Sequence, residues 1–258
     1  LKIEWIKLKY YKSFWALLGF FMLALLCANY FACKIYYKQL QGAASTPIHG
    51  LFNFPQIWQT VSYISGFLFF IPALLIITLV TNEISFGTHR QNIISGISRV
   101  QYVNVKFILI AVISLCCTTM VVITVIVLGI HGGGWTISFN EFSYIIYFYL
   151  QCINYCTVAY ILAIFIKKAG MTIGTFVLYA WVFEKSISGI LNSAFKHNVG
   201  NYLPLSSSDK LIPIPFGHQA GAELTGKASL TLLVVTMAYL SAMYFIAIQK
   251  SKNEDISR

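Results

Sequence analysis

This sequence is poor in charge. Only 10% of its 258 residues are Asp, Glu, Lys or Arg, and just 8 are acidic. A soluble domain of this size carries about 25% charged residues. That scarcity excludes a free globular domain with a solvated surface. No loop is long enough to bury a core of its own, which excludes a separate soluble catalytic domain. The residues that chemistry needs are also missing in usable patterns. The five histidines (His49, His89, His131, His197, His218) all fall in expected loops, so haem held by two histidines inside a membrane is not expected. There is no H-E-x-x-H and no G-x-S-x-G. The six cysteines lie in apolar runs, with the spacing of neither a disulfide framework nor a zinc site. No catalytic, cofactor-binding or metal-binding residue is therefore assigned. Residues 221–228, GAELTGKA, nearly spell a phosphate-binding loop. Ala228 stands where a magnesium-ligating Ser or Thr is needed, and no strand precedes it.

What the chain has instead is apolar length. Hydrophobic residues make up 58% of it, and mean hydropathy is +0.73. Six runs approach the roughly 20 residues that cross a bilayer: 14–33, 60–81, 107–129, 142–166, 171–191 and 228–248. The expected fold is one all-α integral membrane domain over 1–258 with six spans. Residues 1–13, with Trp5, Tyr10, Tyr11 and four lysines, suit a segment at headgroup level. The run after them is too long for a secretory signal and has no small-residue cleavage site. Residue 1 is Leu, so the native start is left open. Pro72 marks a kink in the second span, and Asn29 is the one strongly polar residue of the first. The net charge of +10 points to membrane lipid rather than nucleic acid. With the N-terminus inside, inner segments hold twice as many Lys and Arg as outer ones, so both termini and residues 82–106 are expected in the cytoplasm.

Residues 82–106, NEISFGTHRQNIISGISRVQYVNVK, carry their own helical signals. Thr88 with Gln91, and Ser98 with Gln101, have capping-box spacing, in which a hydroxyl and an amide satisfy free N–H groups reciprocally. Gly96 supplies a stop between them. A short helix over Thr88–Ser95 is expected, with Ile93, Ile94 and the following Ile97 on one apolar face. Glu83, Gly87, Thr88, Arg90, Ser98, Arg99 and Lys106 together resemble the type-2 permease family of ABC transporters, with Ile97 where many relatives carry proline. The resemblance covers most of the chain through span count and loop pattern. It implies a bacterial inner-membrane exporter subunit, not itself an enzyme, in which the short helix couples to a separate ATPase subunit that holds ATP and magnesium. A second permease subunit, identical or related, is implied as well. Glu83, Gly87, Thr88, Arg90, Ser98 and Arg99 are then the ATPase-coupling candidates. For Glu83 and Arg90 a plain interfacial anchor is the other reading.

Beyond residue 183 three features leave alternatives open. Glu184 and Lys185 interrupt an apolar run. An intramembrane ionisable pair is by default a pathway candidate. The alternative is a turn back at the outer interface, with a re-entrant helix over Ser186–Phe195. Residues 202–217, YLPLSSSDKLIPIPFG, lie in the long outer loop 192–227, where Pro204, Pro213 and Pro215 favour a rigid, non-helical cover. That cover is either an outer gate or a structural connection. Tyr63, Gly66, Tyr155, Tyr160, Gly174 and Tyr179 fit helix packing better than a drug pocket. The competing functions are a non-transporting scaffold or sensor, and a membrane-embedded lipid-modifying enzyme, for which no convergent cluster of His, Asp, Ser or Glu is visible.

Overall fold

The structure, a computed structural model, describes residues 9–42, 51–88, 96, 98–133, 138–195, 199–215 and 230–253. Among these residues it is built from helices and turns alone. In chain order they are α1 (Lys12–Gly42), α2 (Ile57–Gly66), α3 (Phe70–Ser85), α4 (Arg99–Gly133), α5 (Ser143–Ile166), α6 (Ala169–Val177), a π-helical stretch (Leu178–Phe183), α7 (Glu184–Ala194), a 3₁₀ turn (Val199–Tyr202), α8 (Pro204–Asp209) and α9 (Leu230–Asn253). Four of the described helices are long and apolar enough to cross a membrane, and a fifth if the bent pair α2 and α3 counts as one. The chain thus has the build of a multi-pass membrane protein.

α5 is the axis of the bundle. It is apolar nearly all round, as a helix surrounded by others must be, with a small polar patch at Gln151 and Asn154. Within its apolar window 56% of residues are buried by protein, against 17% in α1 and 11% in α9, which leave most of their apolar surface uncovered by the rest of the chain. α2, α3, α4, α6, α8 and α9 all pack on α5. Lipid tails are as apolar as Leu, so such packing rests on close contact and interhelical hydrogen bonds. Asn29 supplies one of these bonds. Buried in α1, it donates from Nδ2 to the Leu25 carbonyl at 2.9 Å and to Ser65 Oγ on α2 at 3.1 Å.

The expected kink lies one turn before Pro72. α2 and α3 meet at 46° across residues 67–69. Pro72 has no N–H with which to reach Leu68, and its ring crowds that carbonyl. The Leu68 carbonyl accepts from Ile71 N at 3.0 Å instead, and Phe67, Leu68 and Phe69 make the same tight three-residue bonds.

Several expected boundaries are corrected. The loop expected from Lys34 is helical as far as Gly42, and α4 runs from Arg99 to Gly133, beyond both ends of its apolar run. His131, Gly132 and Gly133 therefore belong to the last turns of α4 rather than to a loop. The turn back expected at Glu184–Lys185 is absent. Helical backbone continues from Ala169 to Ala194, with αR angles at both ends of the π-helical stretch. The Glu184 N–H bonds the Tyr179 carbonyl five residues back, so the ladder widens by one residue there without breaking. The cover expected to be non-helical contains α8. Pro204 is its first residue, where a missing N–H costs nothing.

Contacts sort the helix ends into two groups. Tyr11 bonds Asn82, Arg99 reaches the carbonyls of Ser251 and Lys252, and the Lys250 ammonium lies 5.1 Å from the Phe165 ring centroid. At the opposite end Trp58 Nε1 donates to the Ser138 carbonyl at 2.8 Å, and Gln59 Nε2 to that of Pro213 at 2.9 Å.

Candidate functional site

The first polar cluster closes the end of the bundle that carries residues 82–106. α3 stops because Gly87 takes a left-handed conformation, φ 70°, which glycine adopts without the Cβ penalty. Thr88 Oγ1 then donates to the Glu83 carbonyl at 3.2 Å, covering one of the open carbonyls of the last turn. Gln91, its expected capping partner, lies outside the described residues. So do His89, Arg90, Asn92, Ile93, Ile94, Ser95 and Ile97, and with them the body of the expected coupling helix.

The far side of that segment is described. Gly96 has φ 96°, the conformation a helix stop requires. Ser98 and Gln101 form the reciprocal cap. Ser98 N donates to Gln101 Oε1 at 3.1 Å and Gln101 N to Ser98 Oγ at 3.2 Å. Arg99 is engaged within the chain. Its Nη1 donates to the carbonyls of Ser251, at 3.3 Å, and Lys252, the last-turn groups of α9 that favour a cation.

Between the two ends lies a buried ion pair. Lys106 Nζ is 2.6 Å from Glu83 Oε1, and the side chains are 1% and 12% exposed. Tyr102 OH donates to Glu83 Oε2 at 2.8 Å, and Lys106 Nζ also sits 5.2 Å from the Tyr102 ring centroid. Both carboxylate oxygens are thus held by α4. Glu83 faces the bundle rather than solvent, and it ties the end of α3 to the start of α4. The sequence marks Glu83 and Lys106 as motif members; their pairing shows only in three dimensions.

The second cluster surrounds α8. Leu205, Ser206, Ser207 and Ser208 are all buried. The Leu203 cap has no side-chain hydrogen bond. A carboxylate from another helix does that work: Glu184 Oε1 accepts from Leu205 N and Ser206 N, both at 2.6 Å. Ser207 N reaches the Leu203 carbonyl at 2.8 Å, so every N–H of the first turn has a partner. At the other end Asp209 Oδ1 accepts from Gln151 Nε2 at 2.8 Å and Tyr155 OH at 2.9 Å, while Lys185 pairs with Oδ2. Asn154 Nδ2 donates to the Pro204 carbonyl at 2.7 Å and Ser208 Oγ at 3.0 Å.

The structure therefore brings Glu184, Lys185 and Pro204 together. Pro213 contributes its carbonyl to Gln59, and Pro215 is buried nearby in the chain. Sequence reasoning missed Gln151, Asn154 and Asp209. The signal was the spacing of Gln151, Asn154 and Tyr155, which puts three polar groups on one face of an otherwise apolar helix.

Other features are sparse. An open apolar groove of about 390 Å³, lined by Leu26, Cys27, Tyr30, Phe31, Thr124, Val127 and Leu128, lies between α1 and α4, apart from both polar clusters. Among the described residues no three His, Cys, Asp or Glu side chains are grouped to hold a metal ion. No curated protein matches the sequence. Residues 20–257 match the family described as "Protein of unknown function (DUF2705)", and the chain belongs to that family.

Proposed function

We propose that this chain is the membrane-spanning subunit of an ATP-driven exporter of the ABC type-2 permease class. It would cross the bilayer six times, through α1, α2 with α3, α4, α5, α6 with α7, and α9. Both termini and residues 82–106 would face the cytoplasm, on the Lys and Arg distribution. A separate ATPase subunit would hold ATP and magnesium, and a second permease subunit would complete the pathway.

One observation carries this reading. The segment between α3 and α4 is stopped by a left-handed glycine at each end, Gly87 and Gly96, and its exit is closed by the Ser98–Gln101 cap. Behind it, the buried Glu83–Lys106 pair fastens α3 to α4. A passive loop needs no such bracing. A segment that receives a push must pass it to two helices at once, and the ion pair makes those helices move together. The partner's contact must differ between the inward and outward states, or no work is transmitted.

The test is affinity purification of the chain from its native membrane in mild detergent, beside a variant with Arg90→Glu and Arg99→Glu. Co-purification of an ATP-hydrolysing subunit with the first and its loss from the second is the expected result. Retention by both keeps the partner but moves the contact elsewhere. Absence of any ATPase across several detergents overturns the exporter reading in favour of a scaffold or sensor.

A further inference from the structure

α8 has six residues, and isolated helices shorter than about 12 residues are marginal in water. Its surroundings therefore hold it in shape. The hold is concentrated at two carboxylates. Glu184 takes the two N–H groups of the first turn, and Asp209 is held by Gln151, Tyr155 and Lys185. Charge-assisted bonds of this kind are about twice as strong as neutral ones.

Asn154 adds two neutral bonds, to the Pro204 carbonyl at 2.7 Å and to Ser208 Oγ at 3.0 Å, while the serine hydroxyls of α8 are donated mostly within the helix. Ser207 Oγ bonds the Pro204 carbonyl at 3.1 Å and Ser208 Oγ the Leu205 carbonyl at 2.8 Å, both within α8. The hydroxyl link to α9, Thr236 Oγ1 to Ser207 Oγ, is long at 3.3 Å. The Ser207 and Ser208 hydroxyls keep these acceptors when the helix departs, and the bonds exchanged for water are those to Glu184, Asn154 and the Asp209 partners. The wall behind them is polar and under-satisfied. Gln151 Oε1 and Asn154 Oδ1 are buried and take no hydrogen bond from the described residues. The two amides cannot be turned to relieve this, because their N–H groups already face a carboxylate and a carbonyl. Buried acceptors without donors weaken the closed arrangement, and hydration on opening would satisfy them.

We propose that Glu184 and Asp209 form a two-point latch that seats α8 as a plug between α5, α7 and α9, and that releasing it opens this polar interior to water. The latch stands on the geometry alone. Its use as the outer gate of transport rests on the exporter reading.

The experiment places a thiol in the plug by Ser207→Cys and measures its rate of reaction with a charged, water-soluble methanethiosulfonate in membranes, read peptide by peptide by mass spectrometry. Native Cys152, fully buried on α5, reports in the same sample whether the bundle stays folded. The introduced thiol alone should react slowly. Adding Glu184→Ala should speed it by about tenfold or more, since two charge-assisted bonds are lost, with Cys152 still protected. Glu184→Gln should fall between, because its amide oxygen still accepts from Leu205 N and Ser206 N. Should Glu184→Ala expose Cys152 as well, Glu184→Gln and Asp209→Asn provide the same comparison in milder form. The latch is refuted if no variant opens the plug thiol without Cys152, or if all stay within twofold of the parent. ATP with vanadate, added to membranes holding the native complex, separates the two claims. Faster labelling with the latch intact joins it to ATP-driven gating. A latch released by Glu184→Ala yet indifferent to ATP stands, while the exporter reading fails.

Discussion

Replacing Glu83 by Ala isolates what the buried pair contributes. Glu83 and Lys106 are 12% and 1% exposed, so solvent screening, which reduces surface ion pairs to about 0–1 kcal/mol, is largely absent. Removing one member of a buried pair leaves the other charge poorly compensated, at a cost of about 3–5 kcal/mol. Glu83→Ala also takes the acceptor from Tyr102 OH, adding about 1 kcal/mol. The expected loss is therefore about 4–6 kcal/mol, a large share of the total stability of a typical domain. Replacing both residues, as Glu83→Leu with Lys106→Met, removes the charges together and should cost far less than Glu83→Ala alone, since apolar substitutes for buried pairs are often neutral. The assay is reversible unfolding in mixed micelles with increasing dodecyl sulfate, followed by circular dichroism. A Glu83→Ala loss below about 1 kcal/mol, or a double variant no better than the single one, would refute the claim that protein burial makes this pair costly to break.

Three further outcomes follow from local geometry. Ser98→Ala removes the hydroxyl from the start of α4 and should cost about 1 kcal/mol, measured in the same unfolding assay, with Ser98→Asp restoring most of it. Gly96→Ala forces a side chain into φ 96° and should cost about 1–2 kcal/mol, whereas Gly19→Ala, in helical backbone with nothing near its added carbon, should cost nothing. Gly200→Ala sets a methyl 2.3 Å from the Ser188 carbonyl oxygen and 2.8 Å from Asn192 Oδ1. The 3₁₀ turn must then lift from α7, and hydrogen exchange should rise across residues 199–206 while α4 stays protected. Unchanged exchange there would mean that α7 yields instead.

Sequence legibility followed the reach of each signal. Apolar runs located the four long apolar helices and the bent pair of α2 and α3, because a run of that length is what a bilayer-crossing helix needs. They did not report helix ends, since polar residues such as Lys34–Gly42 and Arg99–Lys106 continue a helix beyond its apolar run. The Ser98–Gln101 cap and the Gly96 stop were legible because each depends on neighbours three or fewer residues away. The turn back weighed at Glu184 failed for the opposite reason. A charge in an apolar run suggested a break, but its partners are the amides of Leu205 and Ser206, brought back by a loop the run does not contain. Pro204 misled in the same way, because proline discourages a helix only beyond its first turn. Lys106 and Glu83 were both visible, yet their pairing needs α3 and α4 packed side by side.

The most direct test of the account is site-specific photocrosslinking in living cells, with a photoreactive amino acid at exposed Ser98 and, as a control at the opposite end, at exposed Asn140. An adduct with an ATP-binding subunit is expected from position 98 and none from position 140. No adduct at 98, or the same partner trapped from both ends, would contradict it.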